Sequence, residues 1–390
     1  CLHKWFDMKY NDTISCYALN RIFGFKPMIA LAMIEELGSP SAVFELSRQE
    51  LDNLLGPFSP QKELINDRAY YLAAEEIENF KGKNTYFVPW CSPYYPDLLK
   101  ECRDAPIGLY IKSISSPETL FNNKNHIAVV GTRDVSEYGK EWSRKIIECL
   151  SRTGLEPAIV SGLAIGTDIV AHTKALDSGL PTIAVMATGI DSVYPYRHTA
   201  IAERIAMTPG CALITDYPPG TAPLRINFLR RNRIIAGMSK STILIESKTK
   251  GGGMLTARLA FSYSRDVYAL PGRADDIRSA GCNILLREQV AEPVISEENL
   301  IKSLGMKYIA KSEEEDQEKH AAIKFRCDGR KTEILTTILR TVRSHRGIDI
   351  GELAEKTGLK YKDVLENTAL LEADGFIITD LMQRCFIRTK

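Results

Sequence analysis

An arginine-rich segment, RINFLRRNRIIAGMS, runs from Arg225 to Ser239 and carries the side chains best suited to bind a polyanion. An unpaired guanidinium is too costly to bury. The apolar residues of the segment nevertheless predict a helix with one face on a core, so we expect its other face to hold guanidinium groups outward. Phe228 lies among these cations. Cations beside an exposed ring are typical of sites for single-stranded nucleic acid. The arginines are Arg225, Arg230, Arg231 and Arg233.

The positive charge of this chain is local rather than global. The formal net charge of the 390 residues is only +1, but eight Lys and Arg stand against the single acid Glu246 between Pro223 and Arg258. A nucleic-acid site must therefore be a patch around this segment rather than a property of the whole surface.

The elements that must position this patch are predicted by the alternation of apolar β-branched runs with helical patterns between His126 and Ser303. Such alternation indicates βαβ crossovers and a parallel sheet covered on both faces, which is an α/β fold. Ligands of these sheets lie outside the carboxyl ends of the strands. The predicted strands are Ile127–Gly131, Ala158–Ser161, Thr182–Ala187, Cys211–Asp216, Ser241–Ile245 and Val267–Leu270.

Four of these strands end in turns of small and basic residues. Glycines that precede a helix leave backbone N–H groups free, and the helix dipole favours an anion there. One glycine after a strand is ordinary turn chemistry, whereas four such turns on one sheet edge predict a phosphate-binding rim. The turns are Gly131–Arg133, Ser161–Asp168, Ala187–Gly189 and Glu246–Gly253.

The chain is expected to hold three folded parts. We predict a helical domain over residues 1–80, a Rossmann-like domain over 81–305, an acidic linker over 306–328 and a winged-helix-like domain over 329–390. The short helices of the first part resemble helix-hairpin-helix or SAM-like modules, although a plain accessory module is favoured because the Gly-x-Gly hairpin is absent. In the last part the second helix of a helix-turn-helix is acidic, which favours contact with protein over duplex DNA.

Several classes of function are disfavoured by what the sequence lacks. Nine cysteines show no CxxC pair, so neither a disulfide framework nor a zinc site is predicted. The G-x-G-x-x-G fingerprint is missing after the first strand, which argues against NAD. No membrane span or signal peptide is recognisable. We therefore expect a cytoplasmic protein without metal, cofactor or catalytic residues.

A series of motifs resembles the DNA-processing protein A family, also called Smf. They occur in the family's order across the predicted sheet, and the arginine-rich one is specific to that family. The motifs are VGTRDVSEYG, SGLAIGTDIVAH, ATGIDSVYP, TDYPPGTAP with NFLRRNRIIAG, GGGMLTA, ALPG and GCNILL. The resemblance implies an extended Rossmann-like fold and a protein that binds incoming single-stranded DNA and loads RecA recombinase onto it during natural transformation. It also implies a homodimer.

The residues themselves and the resemblance together assign roles residue by residue. Asp168 and Glu246 are expected to be structural, as carboxylate partners of an arginine or, for Asp168, as a helix-start residue. The residues expected to bind nucleic acid are Gly131, Thr132, Arg133, Ser161, Gly162, Ala164, Gly166, Arg225, Asn227, Phe228, Arg231, Arg233, Lys248, Lys250, Gly252 and Gly253. Ile165 stands where the family often has arginine, so a phosphate contact at that position is lost.

Two alternatives come from other classes of protein. A nucleotide enzyme of the phosphoribohydrolase type shares the early strand-and-turn motif, but its Pro-Gly-Gly-x-Gly-Thr signature is missing and Gly251–Gly253 is only a partial match. A winged-helix transcription regulator is disfavoured by its acidic recognition helix.

Overall fold

The computed structural model describes residues 10–123, 125–307, 329–345, 347–380 and 383–387. The described chain divides into two compact units, one up to residue 308 and one from residue 309 onward. The predicted acidic linker, residues 306–328, lies almost entirely outside the described residues.

A nine-stranded mixed sheet forms the centre of the first unit. Its spatial order is β1-β2-β6-β5-β4-β3-β7-β8-β9. All neighbours from β6 to β9 are parallel, whereas β1 and β2 pair antiparallel with each other and β2 pairs antiparallel with β6. The strands are β1 Thr85–Pro89, β2 Gly108–Lys112, β3 His126–Val130, β4 Ala158–Ser161, β5 Thr182–Val185, β6 Ala212–Thr215, β7 Ser241–Leu244, β8 Asp266–Ala269 and β9 Glu292–Pro293.

Helices precede the sheet in the chain and connect its strands. They are α1 Asp12–Phe23, α2 Pro27–Leu37, α3 Arg48–Leu55, α4 Asp67–Glu78, α5 Asp97–Lys100, α6 Pro117–Asn122, α7 Glu137–Ser151, α8 Thr167–Asp177, α9 Thr199–Ala206, α10 Arg225–Met238, α11 Gly252–Ser262, α12 Ala280–Arg287 and α13 Glu297–Ser303. Ser47 and Glu50 form a capping box at the start of α3.

The α/β prediction is confirmed, and all six predicted strands are found within two residues of their predicted ends. The sheet is larger than expected because β1, β2 and β9 were not predicted. Strand β1 is a short apolar run, TYFVP, that lies outside the βαβ repeat, so the periodicity of the repeat could not reveal it.

The N-terminal helices share a hydrophobic cluster with the sheet. Tyr17 of α1 contacts Phe87 of β1 and Tyr110 of β2, with ring centroids 4.8 and 5.2 Å apart. Asn20, also on α1, donates a hydrogen bond to the backbone oxygen of Asp216, just beyond β6. These contacts fix the loop after α1 beside the chain that leads into α10. The domain boundary at residue 80 stays a prediction.

The described residues of the second unit form three helices and a small sheet around a core of its own. The strands pair in the order β10-β12-β11. The elements are α14 Gly329–Ser344, β10 Ile348–Asp349, α15 Ile350–Thr357, α16 Tyr361–Ala373, β11 Ile377–Thr379 and β12 Arg384–Ile387. The winged-helix assignment stays a prediction. In the described part of the chain, no helix combines the length and the hydropathy needed to cross a bilayer.

The buried His172 on α8 makes the first unit sensitive to acid. Its Nδ1 lies 2.8 Å from the Thr182 hydroxyl, and burial together with the charge of Arg231 lowers the pKa of His172 to about 3. Above pH ~6.5 the ring is neutral in both folded and unfolded states. Below that pH His172 binds a proton in the unfolded chain but stays neutral in the folded chain. The free energy of unfolding therefore falls as pH falls towards 3.

We expect His172→Asn to remove about 1.4 kcal/mol per pH unit from the slope of unfolding free energy between roughly pH 6 and pH 4. Urea unfolding at several pH values measures this slope. An unchanged slope in the variant would contradict the lowered pKa assigned to His172 in the folded chain.

Candidate nucleic-acid interface

A cleft of about 650 Å³ opens at the carboxyl ends of β3 and β7. This is the sheet edge at which the four turns were predicted to meet. Its wall is formed by the turns after β3 and β7 on one side and by the N-terminal half of α10 on the other. The predicted site residues that line it are Gly131, Thr132, Arg133, Ala164, Arg225, Phe228, Arg231, Lys248, Lys250, Gly252 and Gly253, with Asp168 beside them.

Glycines let the turns after β3 and β7 approach each other closely. A Cβ added to Gly253 would lie 2.7 Å from Leu244 Cδ1 and 3.2 Å from the Cα of Gly131. A Cβ on Gly131 would collide with the Thr167 hydroxyl. Gly131 and Gly253 therefore bring two strand ends and the start of α11 into contact, a geometry that a side chain at either position would prevent.

The start of α11 supplies backbone donors to the cleft. Gly251 is its N-cap, and among the described residues no side chain caps the helix there. The first N–H groups of a helix have no partner within it, and together with the helix dipole they attract an anion. Lys248 and Lys250 lie exposed in the turn just before these groups.

Phe228 stands in the cleft as a half-buried ring fixed by two neighbours. The Arg133 guanidinium carbon lies 5.4 Å from its ring centroid. The Tyr194 ring meets it edge-on, at 5.4 Å and 63°. A ring held in this way by a cation and a second ring has its orientation set without a ligand.

Arg231 is buried in the cleft wall and joins two strand ends. Its Nη1 donates to the Gly162 oxygen at 2.6 Å and to the Val185 oxygen. Asp168 accepts from the backbone nitrogens of Gly162 and Ala164 at 3.1 and 3.3 Å. Burial lowers the pKa of Arg231 to about 10, and burial raises the pKa of Asp168. The pair holds the turn after β4 in place beneath the cleft.

Arg233 lies outside the cleft. Its Nη2 pairs with the Asp216 carboxylate at 2.5 Å, and its Nη1 donates to the backbone oxygen of Asp104 at 2.6 Å. The side chains of Arg233 and Asp216 are both less than a tenth exposed. The sequence pointed to Asp168 or Glu246 as the carboxylate partner of a buried arginine. The structure gives Arg233 a different partner, Asp216, which comes from the loop after β6.

The expected separation of α10 into an apolar face and a guanidinium face is wrong. Ile226 and Leu229 are about half exposed, whereas Arg231 and Arg233 are nearly covered. The reason is that carbonyl and carboxylate groups from the strand ends satisfy the buried guanidinium groups, which sequence periodicity cannot reveal.

Other predicted site residues lie behind the cleft lining. The Ser161 hydroxyl donates to the Val129 oxygen at 2.7 Å, and the Asn227 amide donates to the Ala222 oxygen at 3.1 Å. Gly162 and Gly166 are buried in the turn after β4, where Gly166 has a φ of 89° that favours glycine. These residues shape the turns and do not line the cleft.

Glu246 also supports the cleft from behind. Its carboxylate accepts from the Ser136 backbone nitrogen at 2.8 Å and from the Ser136 hydroxyl at 2.5 Å. Ser136 is the N-cap of α7, so Glu246 ties the end of β7 to the start of that helix.

Several residues that line the cleft are not among the predicted site residues. They include Tyr194, Asn232 and Ser247. Asn232 lies between two site arginines and Tyr194 lies in the VYP motif, so both stood within recognised motifs. Only the fold shows that they point into the same space as Phe228.

No group of three His, Cys, Asp or Glu side chains placed to hold a metal is found among the described residues.

A somewhat larger cavity, of 720 Å³, lies elsewhere, along the edge strand β1. Lys81 is its one cationic lining residue among those described. An anion would therefore find much less positive charge there than in the cleft, so charge rather than volume selects the candidate site.

Comparison with known proteins identifies the family of this chain. The sequence model for the family described as DNA recombination-mediator protein A matches residues 86–305, more than half of the chain. The chain belongs to the DNA recombination-mediator protein A family. The matched residues contain the whole cleft.

Relatives of this family member include Protein Smf of Synechocystis sp., which is 36% identical over 63% of this chain and 60% of its own length. DNA processing protein DprA of Bacillus subtilis is 32% identical over 71% of this chain and 94% of its own length. This chain thus spans only about 60% of the Synechocystis relative. The X-ray structure of DNA processing protein A from Streptococcus pneumoniae superposes with a TM-score of 0.63, at 30% identity, over 75% of this chain and 98% of that one.

The two kinds of arginine on α10 predict two kinds of mutational effect. Arg233→Met should cost about 3–5 kcal/mol of unfolding free energy, because it leaves the buried Asp216 carboxylate without a partner. Arg225→Met, on the exposed turn of the same helix, should change it by no more than about 0.5 kcal/mol. Urea unfolding followed by circular dichroism compares them. Equal, small losses would show that the Arg233–Asp216 pair contributes little.

Proposed function

We propose that this protein binds single-stranded DNA across the cleft, by binding rather than by catalysis. The observation that carries the proposal is Phe228, an ordered ring with Arg133 against it, at the centre of a rim of cations. Within the described residues Arg133, Arg225, Lys248 and Lys250 form no ion pair, so their charge is available to phosphates.

Each part of the cleft has a place in this mechanism. Phosphates lie on the N–H groups at the start of α11 and on the turn Gly131–Arg133, with Lys248, Lys250 and Arg225 as cations at the rim. One base stacks on Phe228. Arg231, buried in the cleft wall, is a fixed charge that keeps the strand ends in place. Arg233 is left out because it is paired behind the cleft.

The cellular role we propose is that of a mediator, which holds incoming single strands and loads RecA onto them in natural transformation. Support comes from membership of a family described by recombination mediation and from relatives named for DNA processing. We further propose that the protein acts as a homodimer in the cytoplasm, without a cofactor.

A nucleotide-processing enzyme is the second candidate, favoured by the glycine-lined start of α11. The first experiment separates the two. A fluorescent oligothymidine and its duplex counterpart are titrated with the purified protein at two salt concentrations, followed by anisotropy. Salt-sensitive binding that prefers the single strand supports the proposal. Binding to neither, with a mononucleotide raising the melting temperature, supports the enzyme instead.

Two single substitutions test the phosphate contacts. Arg133→Ala and Arg225→Ala should weaken binding to all sequences alike, and each should reduce the slope of log affinity against log salt by about 0.7, the value for one phosphate of a single strand. The measurement is the same titration over a salt series.

Phe228→Ala serves as the matched variant without a charge change. It should weaken binding by about 1–3 kcal/mol while leaving the slope nearly unchanged. Unaltered slopes in both arginine variants would contradict the phosphate contacts. A lost slope in Phe228→Ala would show that the ring only positions Arg133.

RecA loading has a direct assay. On single-stranded DNA covered by a single-strand-binding protein, the wild type should shorten the lag of RecA ATP hydrolysis, and Phe228→Ala should not. An unchanged lag with the wild type, despite DNA binding, would restrict the function to DNA binding alone.

Sedimentation at micromolar concentration tests the proposed homodimer, and a monomeric profile would disprove it.

A further inference from the structure

A second phenylalanine, outside the cleft, has an arginine guanidinium against its ring, as Phe228 does. Phe25 lies in the loop between α1 and α2, and 57% of its surface is exposed. The guanidinium carbon of Arg230 lies 4.7 Å from its ring centroid. Arg230 Nη2 also donates to the Gly24 oxygen at 3.0 Å, which fixes the guanidinium beside the ring. Phe25 and Arg230 thus repeat the arrangement of Phe228 and Arg133.

Two cations, Arg230 and Lys26, lie next to Phe25 in space or in sequence. Arg230 forms no ion pair within the described part of the chain, and the neighbouring Lys26 is exposed. From Tyr217 to Ile245, the stretch that contains α10, the sequence holds no acid. The nearest carboxylate in sequence, Asp216, is already paired with Arg233. Arg230 and Lys26 can therefore offer positive charge to a polyanion at Phe25.

Phe25 lies across α10 from the cleft. Residues two positions apart on a helix point roughly 200° away from each other. Phe228 on one flank of α10 lines the cleft, and Arg230 on the other flank holds Phe25. Between the two flanks the first turns of α10 present Arg225, Ile226 and Leu229 to solvent. A strand that leaves the cleft over this end of the helix reaches Phe25.

The alternative is that Phe25 only packs against the protein. Its ring does lie 6.3 Å from that of Tyr217. However, Phe23, two residues earlier, is only 2% exposed and already anchors the loop in the core. Phe25 adds little burial. Arg230 ties the loop to α10 through the Gly24 backbone oxygen, but this hydrogen bond does not neutralise its charge. A docked protein would also use the exposed Met28 and Ile29, but neither accounts for the unpaired cations.

We propose that Phe25, with Arg230 and Lys26, forms a second base-stacking subsite for single-stranded DNA that leaves the cleft across α10. This inference rests on the proposed function of the cleft. It predicts that strands long enough to cross the helix bind through both rings, whereas strands that only fill the cleft use Phe228 alone.

The test is an anisotropy titration with fluorescent oligothymidines from about 4 to 16 nucleotides, the range of site sizes for single-strand grooves. Phe25→Ala should weaken binding of the longest oligomers on the order of tenfold, the effect of one lost stack, and leave the shortest unchanged. Lys26→Gln should lower the salt slope by about 0.7 for long oligomers only. Phe58→Ala, which removes a phenylalanine that is 95% exposed, controls for the loss of a surface ring.

Phe25→Trp provides the complementary variant. It should retain the affinity of the wild type for long oligomers, and its additional fluorescence relative to wild type should be quenched by them and not by the shortest. Photo-crosslinking of a 5-iododeoxyuridine placed along the oligomer should mark residue 25 from positions away from the base at Phe228.

The outcomes are distinct. Equal affinities of wild type and Phe25→Ala at every length, or equal loss at every length, overturns the second subsite and leaves the cleft intact. The same holds if Phe58→Ala matches Phe25→Ala. If the wild type binds no oligomer of any length, the proposed function fails and the subsite fails with it.

Discussion

The candidate site depends on one buried cation. The Arg231 guanidinium joins the Gly162 oxygen at the end of β4 to the Val185 oxygen at the end of β5, and Asp168 beneath it binds the backbone of the same turn. A buried guanidinium is tolerable only with such partners. Because α10 carries Arg231, this contact also decides where the rest of the helix lies, and with it Phe228 and Arg225. The positions of the exposed site residues therefore follow from a residue that solvent hardly reaches.

The arginines of α10 consequently divide into two groups with different physics. Arg231 and Arg233 are satisfied by backbone oxygens and the Asp216 carboxylate, and they hold strand ends and loops together. Arg225 and Arg230 form no ion pair among the described residues and keep their charge for the proposed DNA ligand. Exposed charges add little to stability, so these two can remain unpaired for binding without weakening the fold. The same helix thus stabilises the sheet edge and presents cations to the solvent.

The two rings with adjacent guanidinium groups define the path of a DNA strand across the proposed binding surface. Phe228 and Phe25 lie on opposite flanks of the exposed end of α10, each with a guanidinium against it. Stacking on a ring is tolerant of sequence because every base has a π-face, which suits a protein that meets arbitrary single strands. The contacts between α1, β1 and β2 hold the loop of Phe25 in place, so the N-terminal helices contribute to the surface and not only to the core.

The sequence alone determined the α/β class, the six parallel strands, the helix of Arg225–Met238 and the sheet edge at which the glycine turns meet. These follow from local periodicity and turn chemistry, which a chain carries in short stretches. It did not determine the antiparallel strands β1 and β2, the inward course of Arg233, or the meeting of Tyr194 with Phe228. Each of these depends on groups that are not neighbours in the chain: Asp216 pairs with Arg233 across 17 residues, and β2 pairs with β6 across about a hundred residues. Only tertiary packing brings such partners together, because the burial of a charge is decided by what surrounds it and not by its neighbours in sequence.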